Sequence, residues 1–109
     1  MTNKTRTLGS VLSTSVADIY VSPVTFRSDV HSILVSNNSA SAVRVYLTWY
    51  KATTGVSYDI SGGFTLYPNS IIQITDAFFL EKNDKIRGYA SVDAAITTSI
   101  SVSEYYVTS

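Results

Sequence analysis

The chain has 109 residues, eight Lys plus Arg balanced by eight Asp plus Glu, and no cysteine. That is room for one domain, with no charge excess to attract nucleic acid or an anionic membrane, and neither a disulfide framework nor a thiolate metal site is possible. Ser and Thr supply 30 residues, Val 12 and Tyr 8, a mixture suited to pleated, half-buried sheets.

The N-terminus, "MTNKTRTLGSVLSTS", lacks the apolar stretch of a secretory signal. No apolar run approaches the length of a membrane span. The expectation is a protein made in the cytoplasm and left unprocessed. Residues 1–12 read as a flexible N-terminal arm, polar and carrying Lys4 and Arg6, with Leu8, Val11 and Leu12 able to dock it on the body or on a neighbour. Residues 13–109 read as one β-sandwich domain.

From about residue 14 the pattern is period two, broken repeatedly by turn residues. "TSVADIYVS" sets Ala17, Ile19 and Val21 on one face, and Pro23 ends it. "DVHSILVS" sets His31, Ile33 and Val35 against Val30, Ser32 and Leu34. After the loop "NNSAS", Val43, Val45, Leu47 and Trp49 alternate with Arg44, Tyr46, Thr48 and Tyr50. "VSYDI", "FTLY" and "IIQIT" follow, separated by "SGG" and "PNS", where glycine and asparagine supply turn geometry. "IRGYAS" sets Ile86, Gly88 and Ala90 against Arg87 and Tyr89, and "AITTSISVSEYYV" closes the chain with Ile96, Ile100 and Val102 on one face. About eight short strands at spacings of roughly ten residues, with no helical stripe, predict an all-β fold: an antiparallel β-sandwich or jelly roll.

Catalytic chemistry finds no constellation. His31 is the only histidine and sits in a strand pattern, so it reads as packed, hydrogen-bonded or partly exposed. No serine lies in a nucleophile elbow, and no glycine-rich phosphate loop is present. Asp76, Glu81 and Asp84 surround a turn, interleaved with Lys82 and Lys85; this reads as a solvated turn, not a calcium loop. No metal or other cofactor is expected, and no enzymatic activity. Trp49 shares its face with Val43, Val45 and Leu47, which argues for a core position over a sugar-stacking one. The opposite face of the same strand is amphipathic and aromatic. Arg44, Tyr46 and Tyr50, with Tyr105 and Tyr106 near the C-terminus, are the candidate protein interface, because tyrosine and arginine combine apolar area with a polar tip.

"VHSILVSNNSASAVRVYLTWYKATTGVSYDI", then "FTLYPNSIIQI", "FFLEKNDKIRGYAS" and "ISVSEYY" together resemble small virion proteins of tailed phages, over residues 15–107. The shared pattern is a strand ending in Asn (Asn37), a Val-rich strand (Val43 to Trp49), a Leu-x-Pro turn (Leu66 to Ser70), a Leu-x-x-x-Asp-x-Ile turn (Leu80 to Ile86) and a closing strand ending in Glu (Glu104). Asn83 stands where the family often has glycine, a substitution the left-handed conformation tolerates. The resemblance implies a β-sandwich that decorates or cements the capsid, bound to the major capsid protein or other virion proteins, as a homo-oligomer with a trimer favoured. A component of the head–tail junction, tail or fibre is the alternative, and a carbohydrate-binding module is an alternative of another class. Neither a nucleic-acid nor a membrane partner is expected.

Overall fold

A computed structural model of the chain describes residues 4–74 and 78–106. Nine strands are present among them: β1 (Lys4–Val11), β2 (Ala17–Val21), β3 (Phe26–Asn37), β4 (Val43–Lys51), β5 (Val56–Leu66), β6 (Ile71–Ile74), β7 (Phe78–Leu80), β8 (Lys85–Ala90) and β9 (Ile96–Tyr106). Two antiparallel sheets pack face to face, the expected sandwich. One has the order β1-β9-β3-β6, with β7 also paired to β3; the other has the order β2-β8-β4-β5. β6 and β7 run along the same edge of β3, Ile71 to Ile74 opposite Ser36 to Ile33 and Phe78 to Leu80 opposite Val30 to Ser28.

The core lies between the sheets and follows the alternation read in the sequence for β4, β8 and β9. Val43, Val45 and Leu47 are buried with Ile86, Ala90, Ile96, Ile100 and Val102. Each valine, leucine or isoleucine among them contributes about 1.5–3 kcal/mol by leaving water. Trp49 packs half-buried against this cluster and tilts against Tyr58, centroids 5.3 Å apart.

β2 and β3 depart from simple alternation at bulges. In β2 the register against β8 shifts between Asp18 and Tyr20, so Ile19 and Tyr20 are both buried while Ala17 and Val21 are exposed. In β3 the register against β9 shifts between Val30 and Ser32, so Val30 joins Ile33 and Val35 inside and His31 turns to solvent. The cause is the same in both. A bulge inserts one unpaired residue and inverts the face of everything beyond it.

Residues 4–11, expected from their polarity to be an arm, form β1 along the edge of β9, Lys4 opposite Glu104 through Val11 opposite Thr97. The strand is held chiefly by backbone pairing and polar contacts, with only Leu8 packed on the core, which leaves little apolar signature.

The turns gather at two ends, and a buried polar residue organises each. At one end Asp84 accepts the Ala52 N–H at 3.0 Å and the Glu81 N–H at 3.1 Å through its carboxylate, while its carbonyl accepts the Ser22 N–H at 2.9 Å. It joins three turns and is fully buried, which corrects the solvated reading for this residue; Glu81 and Lys82 are exposed as expected, and Asp76 lies outside the described residues. At the other end Asn37 donates to the carbonyls of Ser41 and Leu66, both at 2.8 Å, and accepts from Ser39. Asn69 and Asn83 take positive φ (59° and 67°), where asparagine replaces glycine at small cost.

Candidate protein interface

The outer face of the β2-β8-β4-β5 sheet carries a ladder of tyrosines and cations. β4 points Arg44, Tyr46, Thr48 and Tyr50 outward because their neighbours fill the core. β8 does the same with Lys85, Arg87 and Tyr89. The pairing sets Tyr46 opposite Tyr89, Thr48 opposite Arg87 and Tyr50 opposite Lys85. Tyr46 and Tyr89 stack with centroids 4.5 Å apart. The Arg87 guanidinium lies 4.4 Å from the Tyr50 ring centroid, with Lys85 at 5.8 Å from the same ring, and Arg44 is 5.7 Å from Tyr46. Asp18 of β2 anchors the cations, 2.9 Å from Arg87 Nε and 3.5 Å from Lys85 Nζ. The amphipathic face of β4 is therefore partly covered from within the chain. The rings are covered in part by each other and by guanidinium planes, each exposed cation–π pair contributing about 0.5–1 kcal/mol.

A glycine makes room for this packing. Gly63 of β5 has φ of 90°, and a Cβ there would lie 2.7 Å from Tyr46 Cε1 and 3.1 Å from Arg44 Nε. β5 is irregular opposite Val45 to Thr48, where its register against β4 shifts twice.

The five candidate residues do not form one patch. Arg44, Tyr46 and Tyr50 share the face just described. Tyr105 belongs to the other sheet, opposite Arg27, whose guanidinium sits 5.4 Å from Tyr105 and 5.7 Å from Phe79. Tyr106 pairs with Phe26 in the ladder, and its side chain lies outside the described residues. Lys85, Arg87, Tyr89 and Asp18 complete the first face and were missed as a group. Their alternation was visible in "IRGYAS", but only strand pairing brings β8 and β2 beside β4.

A second polar assembly lies between the sheets. Glu104 is fully buried and accepts Arg6 Nη1 at 3.2 and 3.3 Å. The Tyr20 hydroxyl donates to Glu104 Oε2. Its proton is thereby committed, so Ser28 donates to Tyr20 at 2.7 Å and Ser22 donates to Ser28 at 2.8 Å. Burial, and then the bond to Glu104, push the Tyr20 pKa well above the ordinary tyrosine value. This chain of donors ends on a carboxylate and ties β1, β2, β3 and β9 together. Among the described residues, no group of three or more His, Cys, Asp and Glu side chains is placed to hold a metal ion.

Several anchor positions of the phage resemblance are interior, while Pro68 and Asn83 of its turns are exposed. Asn37, Leu66, Leu80, Asp84, Ile86 and Glu104 are all buried. These buried positions record how the sandwich is tied together.

No protein-family model matches the sequence, and no curated protein matches it. Solved structures share its fold. The chain is similar to a protein of the acid-stable capsid of the Helicobacter pylori bacteriophage KHP30, with TM-score 0.55, 10% identity, and 100% of this chain and 90% of that chain covered. It is similar to a protein of Bacillus endospore appendages, described as disulfide-linked pili, with TM-score 0.55, 13% identity, and 99% and 88% covered. It is also similar to a protein of the virus-like particle of the Macrobrachium rosenbergii extra small virus, with TM-score 0.53, 9% identity, and 99% and 80% covered.

Proposed function

We propose that the chain is a non-enzymatic structural protein of a virus particle, and within that class a phage capsid decoration or cement protein that associates with the major capsid protein. The observation that carries the reading is the whole-chain likeness to a phage capsid protein of nearly the same length, with 100% of one and 90% of the other covered. The strand order supports it. Taking β6 and β7 as one interrupted strand, β1-β9-β3-β6 over β2-β8-β4-β5 is the two-sheet order of a jelly roll, an architecture used by viral capsid domains. The Arg44, Tyr46 and Tyr50 face has the composition of a protein interface. Such a protein acts by contact, spanning neighbouring capsomers so that the shell resists internal pressure.

The test is co-sedimentation of the purified protein with assembled capsids, with its mass in solution measured by light scattering. A trimer that binds assembled shells supports the reading. Tyr46→Ser with Tyr50→Ser should weaken binding while circular dichroism stays that of the folded chain; normal binding by that variant would refute the interface. Apolar and aromatic contacts in a chain of zero formal net charge should also make association only weakly salt-dependent.

A second reading, a ring- or filament-forming component of the head–tail junction, tail or fibre, is favoured by the likeness to the Bacillus pilus protein. It predicts a hexamer or larger ring and few copies per virion. The carbohydrate-binding reading gains nothing from Trp49, whose indole is half-buried with Nε1 fully covered.

A further inference from the structure

β1 has no fully buried residue. Of its residues only Leu8 packs against the core cluster, and the fully buried members of that cluster run from Leu12 to Val102. Apart from the ladder to β9, β1 is held by Arg6 on Glu104, by Lys4 over the Phe26 ring at 5.2 Å, and by a 3.4 Å contact between the Thr7 and Ser101 hydroxyls. The pivot is well defined. Leu12 is buried, bonded through its N–H to the Ile96 carbonyl and through its carbonyl to the Ala94 N–H, so β1 hinges ahead of it.

The groove that β1 fills is built for a cation. The Glu104 carboxylate has no exposed surface, whereas Arg6 keeps 41% of its side-chain exposure. With β1 withdrawn, Glu104 would keep the Tyr20 hydroxyl and lose its cation, and the backbone edge of β9 would stand open. A carboxylate stripped of its cation and a bare sheet edge are both unfavourable. The groove therefore selects an extended strand that brings a guanidinium to this register. Every other copy of the chain carries that segment, and its contacts are the same whether made within one copy or between two. Exchange costs only hinge rearrangement and association entropy.

We propose that the β9 edge and Glu104 form an acceptor groove for the N-terminal strand of a second copy, so that neighbouring copies trade residues 4–11 with Arg6 setting the register. This rests on the assembly role proposed above and names how copies are linked within it.

The absence of native cysteine allows a direct test. Thr7 and Ser101 face each other across the ladder. Full-length Thr7→Cys and Ser101→Cys chains are mixed at high concentration, oxidised and resolved without reductant. Exchange predicts a Cys–Cys heterodimer exceeding either homodimer by about tenfold, equivalent to about 1.4 kcal/mol. Adding Arg6→Ala to the Thr7→Cys chain should lower that yield by a similar factor, and Arg6→Lys should restore part of it. The double variant, dilute, should close within one chain. Heterodimer no more abundant than homodimer, a yield indifferent to Arg6→Ala, or a double variant that never closes would each overturn the proposal. Capsid co-sedimentation of the same single-cysteine chains separates the two ideas. Binding without cross-linking refutes exchange alone, and loss of binding by the unmodified chain refutes the assembly reading.

Discussion

Tyr46 of β4 and Tyr89 of β8 stand directly opposite each other in the ladder and stack with their ring planes 10° from parallel. Each strand owes its outward tyrosine to inward neighbours that fill the core, so the stack is a by-product of burial that the ladder then stabilises. A double-mutant cycle with Tyr46→Ala and Tyr89→Ala, read by urea denaturation, should give a coupling of roughly 0.5–1.5 kcal/mol. No coupling would mean that the rings contribute only their separate areas.

Gly63→Ala tests the space beneath that stack. The new methyl would meet the Tyr46 ring, and the residue would be held at a φ of 90° that L-residues avoid. Destabilisation of roughly 1–3 kcal/mol is expected. In a Tyr46→Ala background the collision disappears and the backbone strain remains, so the two costs should sum to less than their separate values. Additive costs in denaturant melts would place the Tyr46 ring elsewhere.

Gly88→Ala probes the inner side of the same sheet. A Cβ there would lie 2.9 Å from both Ile19 Cδ1 and Leu47 Cδ2 and 3.0 Å from the Tyr46 carbonyl. Overpacking between β2, β8 and β4 should cost about 1–3 kcal/mol, seen as a lower thermal midpoint. A neutral or stabilising substitution would contradict the close packing of these strands.

The Tyr20–Glu104 bond gives a signature at alkaline pH. A group whose folded pKa is raised contributes stability that is whole below its unfolded pKa, near pH 10 for tyrosine, and is lost as pH climbs beyond it toward the folded value. Thermal midpoints should therefore fall above about pH 10 more steeply in the native chain than in Tyr20→Phe, which has no proton to lose. Parallel curves would show that Tyr20 titrates alike in the folded and unfolded states.

Asp84→Ala should cost about 1–3 kcal/mol by stranding the N–H groups of Ala52 and Glu81. Asp84→Asn retains one acceptor oxygen and should recover part of the loss. Amide exchange at Ala52 and Glu81 checks the mechanism, since both should lose protection together. Unchanged protection in Asp84→Ala would show that water or other groups satisfy these donors.

Much of this architecture could be read before any coordinates. Val43, Val45 and Leu47, and Ile96, Ile100 and Val102, alternate cleanly because the pleat of a strand puts every second side chain on one face. Arg44, Tyr46 and Tyr50 were legible as a shared face for the same reason. Ile19 with Tyr20, and Val30 with Ile33, were not. A bulge leaves no local composition signal; it exists only against a partner strand. Tyr105 was grouped with the β4 residues by its chemistry alone, and only the strand order puts β9 in the other sheet.

Composition and period two alone determined an antiparallel all-β chain and the inner faces of its regular strands, because burial of alternate apolar residues is a local property of extended backbone. Strand order was decided only by the tertiary structure, and order sets which side chains from distant segments become neighbours. Arg6 and Glu104 are 98 residues apart in the chain; Asp18, Arg87 and Tyr50 come from three separate strands. Such contacts arise from two sheets closing over one core, and no window of sequence contains them.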